Sequence, residues 1–158
     1  MPAANANPII IRWMVLFLLW GSLAGSALAV GNDNFSLEND PEYRQAKALV
    51  EAKQWNDALS LLRSLQRDIK DQPDIHNLLG IVHRKLGDYP TSKRHYDRAL
   101  EIDPDHRPTL EYQGEWFLEK GQIEAARANL VKLRRLCIDC GETRDLEAAF
   151  HRHGVTLP

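Results

Sequence analysis

The 158 residues carry 20 basic and 22 acidic side chains, a formal charge of −2, so the basic excess needed to bind a phosphate backbone is missing and nucleic acid is not an expected partner. Hydrophobic residues make up 44% of the chain, enough for one continuous core. Strand-like alternation is absent, which predicts an all-α protein.

The first segment differs from the rest. Arg12 is its one charge, and Trp13 to Val30 follow without another, including Val15-Leu16-Phe17-Leu18-Leu19-Trp20. Ala27-Leu28-Ala29 offers small residues where a signal peptidase reads, so residues 1–29 are expected to be a signal peptide cleaved after Ala29. The alternative is an uncleaved anchor over residues 13–30, short against the typical span of about 20. Either way the remainder is expected outside the cytoplasm, periplasmic or secreted, touching a membrane only through this segment. Residues 30–39 are polar and turn-rich and are expected to be a linker.

From residue 40 the punctuation is helical. Asp40-Pro41-Glu42 predicts a helix start, with Asp40 as cap, Pro41 at the first position and Glu42 favourable to the dipole. The predicted helices run from about Pro41 to Lys53, Asn56 to Ile69, Pro73 to just before Gly87, Tyr89 to Ile102, Pro108 to Lys120 and Ile123 to Leu136. In the middle pair Gly87 ends one helix, Asp88 caps the next and Pro104 prevents its continuation. Tyr96, Ala99 and Leu100 make one apolar stripe. At a period of about 34 residues small side chains recur as Ala46, Gly80 and Gly114, and again as Ala58, Ser92 and Ala126; bulky ones recur as Trp55, Tyr89 and Ile123.

On these residues the stretch 73–106 resembles a tetratricopeptide repeat, with Leu79-Gly80, Gly87-Asp88-Tyr89, Tyr96, Ala99 and Asp103-Pro104 in the family's places. His76 and His83 stand where the family usually has tryptophan and tyrosine. The resemblance covers about residues 39–138 and implies a right-handed superhelical stack of three hairpins, at about 39–72, 73–106 and 107–138. Beyond it, residues 139–158 hold a Cys-x-x-Cys turn and an amphipathic helix, Glu142 to Arg152, expected to cap the open end of the stack.

Cys137 and Cys140 are the two cysteines. In an oxidising compartment they are expected to form a disulfide that fixes how the cap leaves the last hairpin. The alternative is a thiol–disulfide exchange pair; against it, Cys137 is placed at a helix end, whereas a reactive thiol sits at a helix start. A metal site from these cysteines with His151 and His153 is not expected, because the two histidines fall on different sides of a helix. His76 and His83 are expected to fill packing positions, and His95 and His106 to lie on the surface. No nucleophile, base and orienting group come together, so neither catalysis nor a cofactor is expected.

The resemblance further implies a concave groove lined by the first helix of each hairpin. In this register it holds Tyr43, Lys47, Asn77, Ile81, Arg84, Glu111, Glu115 and Leu118, and is suited to an extended or helical peptide held by Asn77 and by charge pairing. The groove is expected to be basic toward Lys47 and Arg84 and acidic toward Glu111, Glu115 and Glu119. The lysine and asparagine that clamp a terminal carboxylate in one subfamily are replaced by Tyr43 and Lys47. The expected role is non-catalytic: a scaffold or assembly factor for a protein or peptide partner in the cell envelope, with self-association through an incompletely capped end as a further alternative.

Overall fold

The computed structural model describes residues 36–157. The expected signal peptide and most of the expected linker lie outside them.

Four of the seven helices among the described residues begin where a carboxylate caps a free N–H or a proline in the first turn has none to satisfy. Asp40 Oδ1 accepts from the Tyr43 N–H at 2.9 Å and opens α1, Pro41–Glu51; Asp88 Oδ1 accepts from the Thr91 N–H at 3.2 Å and opens α4, Tyr89–Ile102. Between them lie α2, Trp55–Asp68, and α3, Pro73–Lys85; after them come α5, Arg107–Glu119, α6, Ile123–Leu136, and α7, Gly141–Arg152. All elements among the described residues are helical. The end of the expected linker is structured: Leu37–Asn39 form a 3-10 turn whose Leu37 is buried in the first core cluster. No helix among the described residues is long and apolar enough to cross a membrane.

The turn inside each hairpin repeats one geometry. Gly87 has φ +84°, and its N–H reaches the Arg84 carbonyl while the Asp88 N–H reaches that of His83. Gly121 and Gln122 do the same with Leu118 and Phe117. This pair of bonds closes a helix by placing one residue in the left-handed region, where glycine carries no Cβ penalty. The first hairpin makes the same turn with Lys53 at φ +59°. Left-handed backbone costs an L residue about 1–2 kcal/mol. Lys53→Gly is therefore expected to raise the unfolding free energy by on the order of 1 kcal/mol, once the greater entropy of glycine in the unfolded chain is deducted. Urea unfolding measures this; a less stable variant would refute the strain.

The turns between hairpins are also alike. Ile69, Asp103 and Cys137 each follow a helix in extended conformation, and Gln72, His106 and Cys140 each precede the next helix. Cys137 and Cys140 thus occupy a third inter-hairpin turn, and α7 is placed as the first helix of a further hairpin. It ends as α1, α3 and α5 do, with Gly154 at φ +66° and the Val155 N–H on the Phe150 carbonyl.

The odd-numbered helices form an inner layer, each touching the next (α1 with α3, α3 with α5, α5 with α7), while α2, α4 and α6 cover them. Apolar stripes meet in clusters along the stack. Ala46, Ala58, Leu62, Leu65, Leu79 and Val82 join the first hairpin to α3, and Leu110, Ala126, Leu130, Leu133, Leu146 and Phe150 join the third hairpin to α7. The terminal helix caps the stack through this second cluster, and its Leu146 closes over Gly114.

Candidate functional site

The expected groove residues all lie on α1, α3 and α5 of the inner layer, but they differ in what they do. Tyr43 and Leu118 belong to the first and last hydrophobic clusters and are 3% exposed. Asn77, Ile81 and Arg84 are 4, 6 and 5% exposed on successive turns of α3. Lys47 is the accessible one, its side chain 39% exposed.

The charges do not form the expected gradient. Arg84 and Glu115, assigned to opposite poles by sequence, form an ion pair at 2.8 Å between α3 and α5. Arg84 Nη1 also donates to the Tyr112 carbonyl at 3.3 Å and lies 3.8 Å from Glu119. The second oxygen of Glu115 accepts from Arg152 of α7 at 2.8 Å. Glu115 therefore links the middle hairpin, the third hairpin and the terminal helix. Sequence reasoning could not find this link, because its members are far apart in the chain and Arg152 lies in what was read as a cap. Lys47 pairs with Glu38 at 3.2 Å and lies 5.5 Å from the centre of the Tyr43 ring.

Glu111 stands differently. It is 7% exposed, and burial together with the neighbouring carboxylates Glu115, Asp145 and Glu142 pushes its pKa up to about 8. At neutral pH its carboxyl group is mostly protonated, so it offers a donor rather than a negative charge. Two further polar atoms of the inner layer, Asn77 Oδ1 and Arg84 Nε, are buried without a hydrogen-bond partner, as is Trp116 Nε1 on α5. A buried polar atom left unpaired costs about 1–3 kcal/mol, so three along adjacent inner helices are a concentrated defect.

Two histidines expected on the surface are not there. His95 of α4 is half-buried against α3: its Nδ1 is 3.2 Å from His76 Nδ1, and its ring stacks on His83 with centroids 5.4 Å apart. His76 and His83, at 7 and 5% exposure, do fill packing positions as expected. His106 is held before α5 by Thr109 Oγ1 at 2.7 Å and Asp74 Oδ1 at 3.2 Å, because its ring reaches back to the start of α3. The helical stripe shows which side of its own helix a histidine occupies, not which neighbour covers it.

The cysteines require a correction. Both are free thiols, so the expected disulfide is not formed in this structure. Cys140 Sγ lies 3.2 Å from the Cys137 carbonyl and 3.3 Å from Thr143 Oγ1, and the Thr143 hydroxyl donates to the same carbonyl at 2.6 Å. The turn is closed by these bonds instead.

A stack of antiparallel helical hairpins with aligned inner helices defines a helical solenoid. Residues 73–106, the middle hairpin, match the family model described as "Tetratricopeptide repeat". The solved structures of similar fold include the Yersinia enterocolitica type III secretion chaperone SycD in complex with a peptide of the translocator YopD, at 16% identity and a TM-score of 0.62, covering 78% of this chain and 97% of that one. SycD in an alternative dimer matches at 16% identity and 0.63, over 78 and 96% of the two chains. PcrH in complex with the chaperone binding region of PopD matches at 20% and 0.57, over 72 and 83%. At these identities the likeness is one of fold. A comparison with curated proteins gives no sequence match.

Proposed function

We propose that the inner layer binds a segment of a protein partner, and that through this layer the chain works as a non-catalytic scaffold or assembly factor. The observation that carries this is the pair of unpartnered atoms on α3, the acceptor Asn77 Oδ1 and the donor Arg84 Nε, with Ile81 between them. The two stand about 10 Å apart along α3, the reach of about three residues of extended peptide, whose N–H and C=O groups would supply the missing donor and acceptor once the side chains that cover these atoms and Ile81 shift. The fold supports the same reading, since SycD and PcrH are each seen with a peptide or binding region of another protein. Export by residues 1–29, or anchoring by residues 13–30, would place this activity in the cell envelope. Peptide mapping that finds a mature N-terminus at Val30 would support cleavage, and an intact leader would support the anchor.

The binding surface is tested by in-cell photocrosslinking from Lys47, which is inner and accessible, with Arg98 on the outer helix α4 as control; its side chain is 45% exposed. A discrete adduct from Lys47 alone is expected, and Asn77→Ala is expected to weaken affinity for the captured partner about tenfold, the worth of one buried hydrogen bond. Equal adducts from both positions, or none from Lys47, would place binding elsewhere.

A further inference from the structure

The Cys137–Cys140 turn places a different thiol at a helix start from the one its sequence position suggests. Cys137 ends α6, but Cys140 is the residue that precedes α7, with φ −82° and ψ 165°, so its sulfur lies at the positive end of that helix. Thr143, in the first turn of α7, brings its hydroxyl to 3.3 Å from this sulfur. Arg107, which opens α5, reaches Glu142 in the first turn of α7 with its Nε at 3.8 Å and adds a guanidinium charge that the two thiols feel. The two thiols share one turn, three residues apart, and the charge on either shifts the other. Neither is enclosed: both are partly exposed, and Leu136 and Ile138, which flank Cys137, are 39 and 72% exposed. A helix N-terminus, a cation and an accessible second thiol are the surroundings that activate one cysteine and let the other resolve it. Exposed apolar residues beside them give a protein substrate a place to rest.

We propose that Cys137 and Cys140 form a thiol–disulfide exchange site in which Cys140 is the attacking thiol and Cys137 the resolving one, acting on a disulfide of a protein or a small molecule. The Cys140 thiolate attacks one sulfur of the substrate disulfide. That S–S bond breaks, and the leaving sulfur departs as a thiolate that takes up a proton. The Cys137 thiolate, having released its proton to solvent, then attacks Cys140 Sγ in the mixed disulfide and expels the second substrate sulfur, which is protonated in turn. The substrate disulfide gains two electrons and becomes two thiols, and the cysteine pair becomes an intramolecular disulfide. The shifts of the two thiols agree with these roles. Burial and Glu142 tend to raise the Cys140 pKa, but a hydrogen bond from Cys137 and one from the Thr143 backbone N–H outweigh them and hold the thiol below its ordinary value; the bond to Cys140 and burial raise that of Cys137 against Arg107.

The test uses the full chain and glutathione disulfide as probe. With Cys137→Ser, a mixed disulfide is expected to accumulate on Cys140 about tenfold faster than it does on Cys137 in the Cys140→Ser chain. The unsubstituted chain is expected to close its own disulfide with release of two glutathiones, and reduced glutathione should reopen it. Arg107 acts as a positioning residue: Arg107→Gln should move the pH of half-maximal Cys140 alkylation upward, and Arg107→Lys should largely restore it. Equal rates for the two cysteines would overturn the assignment of Cys140, and a disulfide that reduced glutathione leaves closed would make the pair structural.

Discussion

Replacing Gly80 by alanine is expected to destabilise the protein by about 1–3 kcal/mol, the usual range for an overpacked core. A Cβ at this position would stand 2.4 Å from Cε1 and 2.6 Å from Cδ1 of Tyr96, a ring with no exposed surface. The hairpin has no slack there, because Ser92 Oγ donates to the Gly80 carbonyl at 2.7 Å and holds α4 against α3. In an open helix the same substitution would stabilise by about 1 kcal/mol, so the sign of the change reports the close approach. Gly114→Ala should be milder. Its nearest neighbours, at 2.7 and 2.8 Å, are the terminal methyl groups of Leu146, which can shift more easily than a locked ring. Urea unfolding of both variants, with Tyr96→Leu alone and combined with Gly80→Ala, measures the coupling. If the double variant lost as much as the two single variants together, the contact would not be the cause.

The glycine itself was legible because the residue type carries the requirement: only a small side chain serves where two helices touch. The same holds for Asp40 and Asp88, whose short carboxylates reach a helix N–H three residues on, and for Gly87 and Gly121 in the left-handed region. Helix bounds set by such local chemistry came within a residue or two of the structure. Lys53 was harder to read. The period brings it under Gly87, but the side chain gives no sign of the turn it adopts.

What sequence could not supply was the identity of neighbours. Arg84 and Glu115 both lie on the inner face, as their register implies, yet their pairing depends on how one hairpin is set against the next. A ladder from Arg84 through Glu115 to Arg152 turns an expected gradient of charge into an internal brace. The cysteines illustrate the same limit. Their position after α6 was readable, but the start of α7 at Gly141 makes Cys140 the residue at the helix start.

The stability of the protein is expected to be greatest near pH 6.5 (roughly) and to fall on both sides for separate reasons. On the acid side the group that matters is the His76, His83 and His95 cluster. His76 and His95 share one proton between nitrogens 3.2 Å apart, and a second would set two N–H groups against each other. Burial, the other two histidines, and Arg94 and Arg63 lower the His95 pKa to about 4. Burial dominates for the others as well. It lowers His76 with help from Arg98 and against Asp71 and Glu101, and lowers His83 with help from Arg63 and Arg94 and against Asp88. The unfolded chain takes up these protons from pH 6.5 downward and the folded one does not, so stability is lost as the pH falls. For His95 the interval corresponds to at most about 3.4 kcal/mol, which solvent at the half-buried ring reduces to about 2. On the alkaline side Glu111 has the opposite sign: folded, it holds its proton to about pH 8, whereas unfolded it releases it near 4.5. Stability from this group is therefore present below pH 4.5 and lost as the pH rises through 8, by about 3 kcal/mol after a similar reduction. Between 4.5 and 6.5 the two oppose, and three histidines outweigh one carboxyl; above 6.5 Glu111 acts without them. Urea midpoints from pH 4 to 9 separate the contributions. Glu111→Gln should remove the decline toward pH 8 and steepen the acid limb above pH 4.5, while His95→Gln should flatten the acid limb and leave the alkaline one. An unchanged midpoint for Glu111→Gln at pH 8 would show that this carboxyl group ionises freely in the fold.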